Sequence, residues 1–535
     1  MNTPLTKDAP LEVTIKRIED LLQSRGIDYT LSEVKNPLPN CFSVNIAYTH
    51  APAHIFANGK GTSKNAALAS ALAEFVERLE SKNLFGDYYT ADAKHFGDEV
   101  AFEAGGEYLS DDLFAIYDPD DLLSYDDLVD FNSSSKKIVC VPYYKLDEKL
   151  ACEHDTKEYY FPINILQNLY ASNGLASGNT PDEARSQALG EIFERFVKFE
   201  VIKNSYALPI IEDLSEFTRL EYDIKKLRSS GVIVNAHDAS LGGKYPVCAI
   251  SLLDPHSCSL FLSFGSSSRV EVALQRCLTE LLQGRESLDL TGFSTPTLDD
   301  DLLSSHHNLE SHFIDSNGVA PLAFLSSSKS FDLTLWEYSG ASSSKDLAFM
   351  ISKLDGKEAY IREMNHLGFY VCSIVVPNFS EIYPLDDLLH HNKNRGKRVR
   401  ELLFDLSECD YDYFLDELGA FSDASDVGKI VGVIFARSFS VADLKAQLLL
   451  LSGELEEARW LLEESSLAVA KPLKELLIAK LARRDVSDLE DAFVALFGEE
   501  LFAQAKSILE AKEMLFSLDL DPLYFSILDL HSRLA

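Results

Sequence analysis

The chain has no CxxC pair. Its eight cysteines (41, 140, 152, 248, 258, 277, 372 and 409) stand singly, several in apolar, strand-like stretches. That excludes a zinc ribbon and a disulfide framework and points to a reduced, cytoplasmic protein. No apolar run approaches the roughly 18 residues that a membrane span needs. The opening MNTPLTKDAPLEVTIKRIEDLL carries charges where a signal peptide has an apolar core, so it belongs to the mature protein. Positive charge is scarce: 49 Lys and Arg stand against 85 Asp and Glu, a balance of −36. Such a surface disfavours nonspecific nucleic-acid binding. A small basic pocket, a metal-bridged nucleotide or a basic protein partner stays open.

Familiar catalytic signatures are also missing. There is no GxxxxGKS/T, and Gly59-Lys60-Gly61-Thr62 is a turn-like fragment without that spacing. No GxGxxG follows a strand, the kinase set is absent, and there is no GxSxG. His306, His307 and His312, like His390 and His391, have no metal-partner set and are expected at exposed loop or helix-end positions. The acidic runs Asp118–Asp121 and Asp299–Asp301 lack EF-hand spacing and are expected as solvated loop charge.

What is present is a globular chain of 535 residues, 46% hydrophobic and 25% charged. That length suits two to four domains, or one large core with an appendage. After an amphipathic helix around Leu11–Leu22, runs such as FSVNIAYTH, PAHIFANGKG, VIVNAHDA, YPVCAISLLDP and SLFLSFGS read as strands between helices. The class is therefore α/β or α+β over residues 1–384. Serine runs at 133–135, 326–328 and 342–344 are expected as surface loops. From 385 to 535 the pattern is helical throughout. LLLLSGELEEARWLLEESS, with Gly453 at its turn, resembles a degenerate tetratricopeptide-type unit, suited to dimerisation or docking; a generic helical bundle fits as well.

The most informative feature is an internal repeat. Ser70-Ala-Leu-Ala-Glu74-Phe-Val-Glu77-Arg78, Gln187-Ala-Leu-Gly-Glu191-Ile-Phe-Glu194-Arg195 and Arg276-Cys-Leu-Thr-Glu280-Leu-Leu-Gln283-Gly284 align without a gap. Each follows a helix-start signal: Gly61-Thr62-Ser63, then Thr180-Pro181 with Glu183 closing a capping box, then Ser268 with Glu271 as a second box. Places one, five and eight share a helix face. Each helix thus carries a polar stripe on an otherwise apolar cylinder, which is costly unless satisfied. Two ExxE stripes that meet offer four carboxylates without His or Cys, a donor set for magnesium rather than zinc or iron. The arginines add anion recognition. Together these suggest a nucleotide triphosphate held through its metal. A duplicated packing unit without chemistry is the alternative.

These helices resemble the YcaO family, whose members bind magnesium–ATP without a P-loop. Its Ser-x3-Glu-x2-Glu-Arg motif matches Ser70, Glu74, Glu77 and Arg78, and its Arg-x3-Glu matches Arg276 and Glu280. Its Ser-x6-Glu-x3-Gln is met by Glu183 and Gln187 but begins at Ala176, a departure that removes one hydroxyl. INILQNLYASNG, DASLGGKYPV, NLESHFIDSNG and VPNFSEIYP are similar to the stand-alone members, which also carry a helical C-terminal region.

The resemblance implies ATP as ligand, with Glu74, Glu77, Glu191 and Glu194 holding magnesium. It implies a nucleotide pocket of Asn179, Glu183, Gln187, Arg195, Arg276 and Glu280, reached from the N-terminus by Lys7 and Thr14. Family cyclodehydratases end in a Pro-rich tail, whereas this chain ends HSRLA. The expected role is therefore an accessory factor for methylthiolation of a small-subunit ribosomal protein, acting with that protein or its modifying enzyme. The alternatives are an independent peptide-amide-activating enzyme and a nucleotide-binding scaffold.

Overall fold

The computed structural model describes residues 3–52, 55–90, 98–103, 106, 108–132, 136–151, 157–285, 293–314, 316–338 and 340–534. Cys152 and the serines at 133–135 lie outside them. The expected strand–helix alternation is present, and every ladder between the described strands is antiparallel, so the class is α+β.

Three sheets each contribute one strand to a repeated unit. Strand β1 (Phe56–Gly61) belongs to a four-stranded sheet and leads into helix α2 (Lys64–Glu80). Strand β2 (Leu175–Gly178) edges a six-stranded sheet and leads into α3 (Pro181–Lys203). Strand β3 (Ser259–Ser266) edges a three-stranded sheet and leads into α4 (Val270–Leu281). The preceding helix α1 (Leu11–Ser24) packs along α2.

The repeat extends into the strands. A Cβ on Gly59 would lie 2.1 Å from the Ala67 carbonyl oxygen, and one on Gly265 would lie 2.4 Å from that of Ala273. Both glycines stand eleven residues before the first repeat place and let the strand backbone press onto the helix. Gly59→Ala is expected to force β1 off α2 and to destabilise the protein by about 3 kcal/mol. Chemical denaturation measures it, and an unchanged midpoint would contradict this packing account.

The largest apolar cluster joins the first unit to the C-terminal helices. Ile18 and Leu22 of α1 and Leu72, Phe75 and Val76 of α2 share it with Val399, Leu403, Phe414, Leu444, Leu473 and Ile527. Polar ties cross the same junction. Tyr89 N–H donates to the Gly432 carbonyl at 2.7 Å, and Arg400 donates to that of Phe131 at 2.7 Å. The Arg400 guanidinium also stacks on the Tyr89 ring. Helices Val441–Ser452 and Leu455–Leu461 turn at Gly453, whose φ of +89° suits glycine.

Some local expectations yield to tertiary contacts. His312 is buried, because its helix (His306–Ile314) packs against α3 and its imidazole faces the Val319 carbonyl. Asp299 is the N-cap of helix Asp300–Ser304 rather than loop charge alone, since its carboxylate accepts from Leu302 N–H. Ser342 caps helix Ser343–Ser352, so that serine run starts a helix instead of forming a loop.

His237 is a further buried histidine, on strand Ile233–Asp238, with Nε2 2.8 Å from Ser251 Oγ. Burial pulls its pKa down to about 4. The unfolded chain takes up this proton below pH about 6.5 while the native state does not, so stability falls with pH across that window. From pH 7 to 5 this one group is expected to cost about 2 kcal/mol. Urea unfolding of wild type and His237→Gln at both pH values isolates the term; identical pH dependence in the two would contradict it.

Candidate functional site

The helix starts follow their sequences in part, and two of the expected capping boxes do not form. Ser63 Oγ accepts from Ala66 N–H and Thr180 Oγ1 from Glu183 N–H, with Pro181 in the first turn of α3. The second box, at Ser268, does not form. Ser268 is buried and donates to Asp346 at 2.7 Å, so Arg269 takes the N-cap place of α4. Helix α4 also stops at Leu281, before Gly284 (φ +75°), which leaves Gln283 outside the third stripe.

Glu183 does not close its own box either. Its carboxylate accepts from Asp8 N–H at 2.9 Å and pairs with Lys7 at 3.1 Å. Thr14 Oγ1 donates to Asn179 Oδ1 at 3.0 Å. The N-terminal segment is thereby tied to the start of α3 at the two residues, Lys7 and Thr14, singled out from the sequence. Asp8 adds a further tie, since its carboxylate accepts from both Thr180 and Ser343 hydroxyls. Arg17 donates to the Gly368 carbonyl at 2.9 Å. Neither Asp8 nor Arg17 has a sequence signal beyond lying between Lys7 and the end of α1.

The polar stripes face one another across the three units. Glu74 pairs with Arg78 at 2.7 Å and Glu191 with Arg195 at 2.5 Å, each one helical turn apart. Arg276 donates to Gln187 Oε1 and, at 2.9 Å, to the Ser266 carbonyl, joining α4 to α3. Glu280 pairs with Lys60 of β1. Ser70 lies one turn before Glu74 on the same face.

Burial raises the Glu77 carboxyl well above its ordinary range, and the nearby charges of Glu191 and Glu74 push it further. Glu191 is raised by burial against the pull of Arg195, with Glu194 and Glu74 adding to the rise. The carboxylates of α2 and α3 therefore share one electrostatic bay. Within it Glu74, Glu191 and Glu280 are turned to internal cations, and among the described residues no three ligating side chains gather at one point.

The bay also holds one unspent donor. Arg195 NH1 is buried without a hydrogen-bond partner, its guanidinium lying over the Phe313 ring. Desolvation pulls the Arg276 guanidinium below its ordinary pKa range, only partly offset by attraction to Glu194 and Glu191. A partnerless buried guanidinium nitrogen is costly unless an anion completes it. Lys60 is the residue that motif reading passes over. GKG lacks P-loop spacing, yet the two glycines flanking Lys60 mark a close backbone approach, and that approach delivers the ammonium to the bay.

Comparison with known proteins places the chain in a family. A family described as YcaO cyclodehydratase, ATP- and Mg2+-binding, matches residues 58–380, a span that contains all three repeat helices. An uncharacterized protein of Haemophilus influenzae is 36% identical over 94% of this chain and 91% of its own. The ribosomal protein S12 methylthiotransferase accessory factor YcaO of Escherichia coli is 34% identical over 96% of this chain and 93% of its own. Among solved structures, YcaO from Methanopyrus kandleri bound with AMPPCP and Mg2+ is 17% identical with a TM-score of 0.43, covering 70% of this chain and 92% of that one. The family match covers more than half of the chain, and both relatives align over nearly its whole length. This chain belongs to the YcaO family.

Proposed function

We propose that this chain binds magnesium–ATP between α2, α3 and α4 and serves as an accessory factor in methylthiolation of a small-subunit ribosomal protein. The observation that carries the reading is the shared bay of half-buried glutamates with the partnerless Arg195 NH1 at its side. Carboxylates alone suit magnesium, and a cluster of half-buried negative charge calls for a cation. Glu74, Glu77, Glu191 and Glu194 are the residues to hold it. Bound there, magnesium neutralises and orients the triphosphate.

The chain's own groups do the rest. Arg195 and Arg276 bind phosphate oxygens; Gln187 fixes Arg276; Asn179 and Glu183 are oriented by Thr14 and Lys7. Ala176, buried on β2 opposite Cys372, supplies a methyl where the family motif has a hydroxyl, and so adds no hydrogen bond.

The accessory role is supported by the near full-length similarity to the E. coli factor. No described helix is long and apolar enough to cross a membrane, which agrees with a cytoplasmic setting. Exposed Trp460, Leu496 and Phe525 on the C-terminal helices support self-association as a homodimer, which sedimentation tests. In cells lacking this gene, mass spectrometry of ribosomal proteins is expected to show loss of the methylthio group from the counterpart of S12. Restoration by wild type but not by Glu191→Gln ties that loss to the nucleotide site. Full modification in the deletion strain would contradict the role.

A further inference from the structure

The three units superpose in sequence register, so positions that carry different side chains stand out. Eleven residues before Ser70, Gln187 and Arg276 lie Gly59, Ala176 and Gly265, and the next residue in each strand is Lys60, Ser177 and Ser266. Two of these are small hydroxyl residues close to the helices. Ser177 Oγ donates to the Ala73 carbonyl of α2, while Ser266 offers its carbonyl to Arg276. Only the first unit places a cation there.

Lys60 reaches that position through an enforced backbone geometry. The flanking glycines bring β1 so close to α2 that added Cβ atoms would meet Ala67, Ala71 and Ala66 within 2.1–2.5 Å. Alternation along the strand turns the intervening side chain away from that contact and toward α4, where it pairs with Glu280. Side chains from all three helices carry charge toward it: Glu74 from α2, Glu191 and Glu194 from α3, and Arg276 from α4. Lys60 is about one-third exposed, and Glu280 comparably so, so the pair sits at the mouth of the bay rather than sealed within it.

The other cations of the bay have fixed local partners. Arg78 and Arg195 each pair with a glutamate of their own helix, one turn away, and Arg276 is held twice. Lys60 instead pairs across units, on a flexible four-carbon stem suited to changing partners.

We infer that Lys60 is an exchangeable counter-ion of the nucleotide site, which neutralises the carboxylate bay through Glu280 and transfers to a phosphate oxygen when magnesium–nucleotide binds. The inference rests on the magnesium–ATP reading and adds to it a positioning residue with two successive partners. It follows that magnesium alone, held by Glu74, Glu77, Glu191 and Glu194, competes with Lys60 as counter-charge to the bay whose glutamates act on it, whereas magnesium–ATP supplies Lys60 with a new anion.

The test uses the full-length chain and its Lys60→Gln and Lys60→Arg variants. Glutamine can still donate to Glu280, which protects the fold, and arginine keeps the charge. Calorimetry with magnesium–ATP is expected to show binding at least tenfold weaker in Lys60→Gln and within about threefold of wild type in Lys60→Arg. Thermal unfolding with magnesium chloride and no nucleotide is expected to raise the midpoint of Lys60→Gln by several degrees and that of wild type by much less. Wild-type affinity in Lys60→Gln, or equal response of both proteins to magnesium alone, overturns the inference while leaving the nucleotide site intact. Failure of wild type to bind magnesium–ATP overturns both.

Discussion

Glu191→Gln weakens magnesium–ATP binding by at least about a hundredfold, or about 2.7 kcal/mol, while leaving the fold in place. Glu191 lies on α3 between Gln187 and Glu194 and shares its bay with Glu77 and Glu74. The amide keeps the shape of the carboxylate and removes the charge that a hard cation requires. It also releases Arg195, which then has neither Glu191 nor a positioned phosphate.

Stability moves little because burial and the neighbouring Glu194 and Glu74 already disfavour the ionised form. The sign follows from linkage: a carboxyl raised in the folded state lends stability below its ordinary pKa and loses it as pH rises from there through its raised folded value. A neutral isostere at neutral pH therefore relieves repulsion. Calorimetry and thermal unfolding on the same samples separate the effects. Unaltered affinity would remove Glu191 from the site; a collapsed midpoint would make its role structural.

Truncation after Pro384 is expected to abolish both folding and nucleotide binding. The helical region looks separable in sequence because its periodicity changes abruptly, yet its apolar faces close over α1 and α2. Phe75, Val76 and Leu79 of α2 are completely buried in a cluster that also holds Val399, Phe414, Leu444 and Leu473. Exposing a fully buried large apolar side chain costs about 1.5–3 kcal/mol. A handful of them equals the total stability of a domain, about 5–15 kcal/mol. The helix that loses its cover is the one that carries Glu74 and Glu77, so site and core fail together. Circular dichroism and denaturant titration of a 1–384 fragment provide the measurement. A cooperative transition with wild-type nucleotide affinity would show that the C-terminal helices are a true appendage.

How much of this was legible in the sequence depends on whether the signal was local. Ser63, Thr180 and Pro181 work as helix starts because capping is decided within one turn. The glutamate stripes were legible because a polar residue on an apolar helix is conspicuous at fixed spacing. Ser268 has the same local pattern, but a buried carboxylate, Asp346, takes its hydroxyl. Gln283 matches the repeat in sequence and falls past a helix stopped near Gly284.

Lys60 was hidden for a different reason. Its significance lies in contacts with Glu280, some 220 residues on, and the motif nearest to it, the P-loop, has another geometry. The joint core of α1, α2 and the C-terminal helices is equally non-local. Amphipathic faces are visible in a sequence; the identity of the face they meet is not.

The central claim is that the glutamate bay holds a nucleotide through its metal. Titration of ATP into wild-type protein, once with excess magnesium and once with chelator, tests it most directly. The account predicts saturable binding at one site per chain with magnesium and binding at least about a hundredfold weaker without it. Equal affinity in the two titrations, or no heat in either, would contradict it.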